Sequence, residues 1–419
     1  MSKDVKLKLD KIGLGFCLEK WTSAVFHLQR GVTNSCHHCP GHTIPLEEVK
    51  KNIHAIHNTP YKKEQRKIMI QGDWPDECNF CSSVEKQGGV SDRIIVSGRE
   101  RSLKHYDSII NDWGQDFKPT SVDVSFNNVC NLACSYCGPQ SSSTWVKDIE
   151  EEGVYPNNYN SIPNDVQRIA SENLYSEYFW QWFKEIYPGL YNLVINGGEP
   201  LMIKDTYRCL EYIIAHPNKN LNVNINSNLC VEDKLIDKLI DLLKQIEERN
   251  LVSSVSIYTS NEAKGLQAEY LRHGLNYNQW INNIRKILSS TQNVKIGVMS
   301  TYTVLSPYSY TGMLQDLKSF ADEFGVRRII VMPKYIRHPA FFDVRLLPLN
   351  NRHRIVESLD YIKANISNEQ TKLRFEQILT YYDTGQTEGC TALKEFIVEY
   401  DRRRGLNFKE AFPEIDWLE

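Results

Sequence analysis

The chain has 419 residues, with 49 Lys and Arg against 52 Asp and Glu and a formal net charge of -3. That balance leaves no global electrostatic footprint for nucleic acid or an anionic membrane, and the length suffices for two or three domains with a substantial core. No apolar run is long enough to span a bilayer, and residues 1–20 lack the hydrophobic region of a signal peptide, so the expectation is a cytoplasmic protein with no membrane or nucleic-acid partner.

In chain order, residues 1–115 come first as a loop-rich module dense in Cys, His and Trp. Cys17, Cys36, Cys39, Cys78 and Cys81 all lie there. Thiols in a reducing compartment are ligands or catalytic groups more often than a disulfide framework. Cys36-His-His-Cys39 together with Cys78-Asn-Phe-Cys81 is a four-sulfur zinc-ribbon pattern, with His37 and His38 packing or donating to sulfur.

Residues 116–345 alternate short β-rich runs with amphipathic helices. The expected strands are 121–126, 192–196, 222–226, 254–258, 294–300 and 328–332. Leu235, Ile236, Leu239, Ile240, Leu243 and Ile246 recur at helical spacing, so that segment buries one face. Strand–helix alternation implies parallel strands. The fold class is therefore α/β, a partial (β/α)6 TIM-like barrel. The segment 141–189 carries Tyr175, Tyr178, Phe179, Trp180, Trp182 and Phe183, which read as core, with some of them available to roof a cavity. Residues 346–419 form a helical segment, with helices expected at 350–364 and 390–404.

Chemistry concentrates at strand ends, where ligands sit in such barrels. Cys130, Cys134 and Cys137 follow the first strand at spacings of four and three, and Asn196-Gly197-Gly198-Glu199-Pro200 closes the second. Three thiolates hold a four-iron cubane by three corners and leave one iron open to another ligand; zinc would want a fourth ligand that does not follow nearby. Glycines let backbone approach a ligand, and a strand-end carboxylate can accept from an ammonium.

The cysteine loop and the Gly-Gly-Glu-Pro stretch together resemble the radical SAM superfamily. The resemblance implies a [4Fe-4S] cluster on Cys130, Cys134 and Cys137 and S-adenosylmethionine as its partner. Tyr136 would lie near the adenine, Gly197, Gly198 and Glu199 would receive the methionine amino group, and Ser227 and Asn228 would contact ribose and carboxylate. Ser256 stands where the family carries Ser-x-Asp, here with Tyr258 in place of the acid, and Arg272 resembles the arginine that grips the carboxylate. Cys17, Cys36, Cys78 and Cys81 resemble the Cys, Gly-x4-Cys and CxxC of the twitch/SPASM auxiliary module, placed here before the barrel; that implies a second [4Fe-4S] cluster, with zinc as the alternative. Reductive cleavage to a 5'-deoxyadenosyl radical, hydrogen abstraction and an external electron donor such as flavodoxin or ferredoxin follow from the same resemblance. The substrate class it favours is a ribosomally synthesised peptide, crosslinked, epimerised or cut from its backbone, delivered by a separate leader-peptide-binding protein. The alternatives are a radical SAM dehydrogenase or rearranging enzyme acting on a small molecule and a metal-stabilised binding protein without catalysis. Cys230, just past the third strand, is the candidate hydrogen donor, Cys390 a lesser one, and Cys209 reads as helix interior.

Overall fold

The structure is a computed structural model, and it describes residues 2–156, 159–163 and 173–418. Residues 157–158 and 164–172 of the 141–189 segment lie outside the described residues. The strands are β1 (Ser23–His27), β2 (Val32–Asn34), β3 (His42–Thr43), β4 (Ser121–Ser125), β5 (Ala133–Cys134), β6 (Asn192–Asn196), β7 (Asn218–Asn226), β8 (Val252–Ser260), β9 (Arg272–His273), β10 (Lys295–Tyr302) and β11 (Ile329–Tyr335). The chain is mixed α/β with mostly parallel strands, consistent with a partial TIM-like fold, and has a C-terminal helical region. All six barrel strands expected from the sequence are present. The third and fourth begin earlier, at Asn218 and Val252, because polar residues such as Asn220 continue the extended backbone without breaking the alternation.

The chain divides into two compact units. The first comprises the described residues of Met1–Asn127, Gln167–Gly197 and Asn218–Val223. Here β1 pairs in parallel with β4, from Ser23 opposite Ser121 to His27 opposite Ser125, and β4 pairs in parallel with β6. β2 and β3 extend this sheet as an antiparallel ribbon. Val122, Val124, Leu193 and Ile195 point to one face and are fully buried, while Asp123, Asn192 and Val194 alternate onto the other, where a cavity opens.

The apolar face is met by the helix Leu174–Ile186, begun by Asn173, whose side chain accepts from the Tyr175 and Ser176 N–H groups. Its Phe179, Trp180, Trp182 and Phe183 are buried. Phe26 of β1 meets Phe179 at 5.6 Å and Trp182 at 5.2 Å between ring centroids, near-perpendicular in both cases, and each such pair adds about 0.5–1.5 kcal/mol beyond burial. The four inner aromatics of this segment are thus core. The front of the chain is a set of short helices, Pro60–Ile70, Asn79–Lys86 and Asp92–Ser97 among them. A second small core of Leu9, Phe16, Leu18, Trp21, Met69, Tyr106 and Ile109 takes in the Pro60–Ile70 helix through Met69.

The second unit comprises the described residues of Asn128–Val166, Gly198–Pro217 and Asn224–Glu419. β8, β10 and β11 run parallel, with Ile257 opposite Ile296 and Val298 opposite Val331. The helix Asp233–Glu248 buries Ile236, Leu239, Ile240, Leu243 and Ile246 as its spacing requires, with Leu235 only half-buried. The C-terminal region forms helices Arg352–Asn365, Glu369–Tyr382 and Cys390–Arg404. Tyr400 of the last donates its hydroxyl to the Ala133 carbonyl at 2.8 Å, so the tail is hydrogen-bonded to the loop that carries the three spaced cysteines.

Candidate functional site

The loop after β4 is fixed almost entirely through its carbonyls. Thr144 Oγ1 donates to the Cys130 carbonyl at 2.6 Å, Trp145 Nε1 to that of Cys134 at 3.0 Å, and Asn160 Nδ2 to that of Cys137 at 2.8 Å. The Cys137 N–H closes a turn onto the Cys134 carbonyl at 2.9 Å. With the backbone spoken for, the thiols are left for a ligand. Burial pushes the Cys130 and Cys137 thiols up to about 12, so three thiolates here require a cation to hold them. A soft donor set of three sulfurs fits an iron–sulfur cluster with one open corner.

The carboxylate of the Gly-Gly-Glu-Pro motif is tied to the same loop. The Glu199 N–H donates to the Val129 carbonyl at 2.6 Å. Its neighbour Gly198 packs so closely on Asn128 and Val129 that a Cβ would collide with both carbonyl oxygens, so this glycine serves close backbone approach within the protein itself. Glu199 is fully buried and accepts from Ser227 Oγ at 2.7 Å, the Asn228 N–H at 2.6 Å and the Leu201 N–H at 2.9 Å. Burial pushes its carboxyl up to about 7 against these donors. Ser227 and Asn228 are thus brought to Glu199, and Asn131, a residue not singled out from the sequence, bridges Asn228 at 2.8 Å and the Cys230 carbonyl at 2.6 Å. Gly197, with φ +145°, makes the turn that precedes them.

Arg272 sits in β9, which pairs with β5 so that Cys134 lies opposite it. Its guanidinium donates through Nε and Nη2 to Glu262 Oε2 at 3.1 and 2.7 Å, and through Nη1 to Cys134 Sγ at 3.7 Å. It also lies 5.3 Å from the Tyr136 ring centroid. Burial opposes the charge on Arg272, but Glu262 holds it above its ordinary range. Glu262 is a site residue that sequence reasoning missed; its position ten residues before Arg272 carries no motif. Tyr136 packs against the same pair: burial raises its hydroxyl well above the ordinary value, and the neighbouring Glu262 adds to that against the lowering by Arg272. Ser256 lies in mid-strand on β8, opposite Lys295. Cys230 Sγ donates to Gln279 Oε1 at 3.0 Å and accepts from the Asn276 N–H at 3.2 Å. Cys209 is buried inside a helix, and Cys390 is the first residue of one.

The first unit holds a separate site. Cys17, Cys36, Cys39, Cys78 and Cys81 all line one cavity of about 230 Å³. Cys36 and Cys39 place their sulfurs 3.5 Å apart, and Cys39, Cys78 and Glu77 bring ligand atoms within 4.8 Å of one another. Cys39, outside the four-cysteine set drawn from the resemblance, therefore stands in the middle of the group. Burial pushes Cys17 up to about 12, whereas the Cys39 thiol beside Cys78 lowers it. Lys20 Nζ is 3.5 Å from Cys39 Sγ and ion-paired with Glu77, both side chains almost wholly buried. Burial opposes its charge, yet Cys78, Cys39, Cys36 and Cys17 together hold its pKa above the ordinary value. His38 bonds Asp92 at 2.6 Å and stacks on Phe80, and His37 lies 3.8 Å from the same carboxylate.

Residues 124–319 match the family model described as the Radical SAM superfamily. Cys130, Cys134, Cys137, Glu199, Ser227, Asn228 and Arg272 all fall inside that span. No curated protein matches the chain. Among solved structures, Streptococcus suis SuiB bound to precursor peptide SuiA is 14% identical with a TM-score of 0.37, over 77% of this chain and 64% of that one. SuiB bound to S-adenosylmethionine is 13% identical with the same TM-score, over 72% of this chain and 64% of that one. The chain thus spans less than two thirds of the length of these structures. Among the described residues no helix is long and apolar enough to cross a membrane.

Proposed function

We propose that the chain, which matches the Radical SAM family model over residues 124–319, cleaves S-adenosylmethionine reductively and abstracts hydrogen from a ribosomally synthesised peptide. The observation that carries this is the tie between three free-sulfur cysteines and the buried Glu199 carboxylate through the Glu199 N–H to Val129 bond. When bound, a cluster of four irons on Cys130, Cys134 and Cys137 supplies the electron that breaks the carbon–sulfur bond. Glu199 accepts the ammonium of the cofactor, and the Ser227 and Asn228 donors fix its oxygens in place. Arg272 keeps Cys134 oriented through its fork to Glu262, and Tyr136 presents its ring to the adenine. The loop buries the Cys134 thiol away from water, with Cys130 and Cys137 partly exposed.

In the first unit, four of the five thiols would hold a second cluster, which would supply an acceptor for an electron from the substrate radical. The support for this is a cavity far larger than one ion needs. A zinc reading has its own support: tetrahedral zinc at about 2.3 Å from sulfur sets sulfurs about 3.8 Å apart, near the 3.5 Å between Cys36 and Cys39. The peptide class is supported by this two-site layout; the buried aromatics of 174–186 contribute nothing to it.

Anaerobic reconstitution followed by dithionite and S-adenosylmethionine tests the core of this proposal. Release of 5'-deoxyadenosine is expected, and its absence overturns it. Metal analysis separates about eight irons per chain from about four irons and one zinc. A mass change in a short peptide encoded beside the gene tests the substrate class.

A further inference from the structure

The turn that carries Cys36 and Cys39 also carries two imidazoles, and these converge on a carboxylate. The Cys39 N–H closes the turn onto the Cys36 carbonyl at 3.2 Å, and Asn34 Nδ2 donates to the carbonyls of Cys36 and Cys39 at 2.7 and 3.2 Å. His37 and His38 leave this fixed turn side by side, with ring centroids 4.0 Å apart. Asp92 arrives from another element, as the first residue of the helix Asp92–Ser97. The next residue, Arg93, pins that helix through bonds to Glu85 at 2.8 Å and to the Phe16 carbonyl at 3.0 Å. His38 Nε2 lies 2.6 Å and His37 Nε2 3.8 Å from one and the same oxygen, Asp92 Oδ2. The three ligand atoms all fall within 4.8 Å of one another. Phe80 stacks on His38 at 3.8 Å and 13°, which fixes that ring. The His37 side chain is 73% exposed and that of His38 only 16%, so the group runs from solvent into the cavity that the thiols also line. No sulfur belongs to it: Cys39 gathers separately, with Cys78 and Glu77.

Two imidazoles and one carboxylate make a donor set that suits zinc, and three protein ligands leave a fourth corner open to water. Nitrogen and oxygen at about 2.0–2.2 Å from a tetrahedral zinc lie about 3.3–3.5 Å apart. The 3.8 Å from His37 to Asp92 is close to that span, and the 2.6 Å contact of His38 is a hydrogen bond whose proton a metal ion replaces. A plain hydrogen-bonded pair needs only His38; His37 brings a second nitrogen to the same oxygen. We propose that His37, His38 and Asp92 form a zinc site at the exposed edge of the front cavity, separate from the thiol site. The site rests on these residues alone and holds whether or not S-adenosylmethionine is cleaved.

Cobalt(II), which occupies zinc sites and is coloured in them, is the probe. Full-length protein, anaerobically reconstituted so that its thiol sites are filled, is dialysed against cobalt(II) beside H37Q/H38Q. The wild type is expected to retain about one cobalt per chain more than the variant, displaced by added zinc. The difference spectrum should show the d–d bands of nitrogen and oxygen ligation without sulfur-to-metal charge transfer. Equal cobalt in the two proteins marks adventitious binding only and overturns the proposal; a sulfur charge-transfer band in the difference spectrum overturns it as well. If H37Q/H38Q does not fold, H37Q alone, at an exposed side chain, takes its place. Its cobalt affinity should fall about tenfold or more, since removing even a supporting group costs that much, and unchanged affinity overturns the proposal. Release of 5'-deoxyadenosine by the same wild-type preparation decides the proposed activity and leaves this site untouched.

Discussion

Two regions of this chain solve one electrostatic problem with different side chains. At the cysteine loop after β4, Arg272 bonds a cysteine sulfur while paired with the buried Glu262. At the front cavity, Lys20 bonds a cysteine sulfur while paired with the buried Glu77. In both, a cation lowers the cost of gathering thiolates, and a carboxylate from the protein keeps that cation in place. The difference lies in the donor. Arg272 is a planar fork locked by two bonds to Glu262 Oε2, whereas Lys20 is a compact charge shared among four thiols. The first arrangement fixes one sulfur in direction; the second offsets a whole set.

The comparison breaks most completely at the ligands. Alanine at Cys130, Cys134 and Cys137 together is expected to remove about four irons per chain and to reduce 5'-deoxyadenosine to background, with the front metal retained. Loss of the front metal as well would mean the two sites do not assemble independently. Next in size, Arg272→Met leaves Glu262 buried and unpaired, and should lower stability by about 3–5 kcal/mol in thermal or denaturant unfolding. R272M/E262Q should recover most of that loss. Lys20→Met leaves Glu77 in the same position and should behave alike. A smaller effect sharpens the contrast: Arg272→Gln should lower the midpoint potential of the loop cluster, read by electron paramagnetic resonance titration, and leave the front centre unmoved.

The smallest expected effect concerns pH. Burial raises Glu199 to about 7 and Asp123, which accepts from Asn196 at 2.5 Å, to about 6. A carboxyl raised above its unfolded value of about 4 stays protonated in the folded state while the unfolded chain ionises, so its contribution is fully present below about pH 4. It is lost as pH rises through 6 for Asp123 and through 7 for Glu199. Asp123→Asn should therefore flatten the decline in melting temperature between about pH 4 and 6, and Glu199→Gln that between about 4 and 7. Melting curves that keep the wild-type slope would refute the assignment.

The barrel strands and the amphipathic helix 233–248 were legible because alternation and 3.6-residue spacing are local signals, and so was the cysteine loop, whose three thiols lie within eight residues. What escaped was set by long-range contact. β1 pairs with β4 across almost a hundred residues of sequence, and nothing in Ser23–His27 announces a partner. Cys39 read as the spare thiol, since a one-dimensional pattern cannot say which of five cysteines meet; the structure sets it between Cys36 and Cys78. Glu262 and Glu77 carry no motif at all, and their importance comes only from what they are buried against. The short front helices were hidden by Cys, His and Trp, residues that neither favour nor forbid a helix strongly.

The parallel pairing of β1 with β4 bears on how the protein can be handled in the laboratory. A version begun at residue 116, the obvious place to trim, would strip Ser121–Ser125 of the strand on one side, keeping only β6 on the other, and turn β4 into a naked sheet margin. Such a fragment is set up to stick to copies of itself. Expression trials and crystallisation should keep the first hundred residues attached.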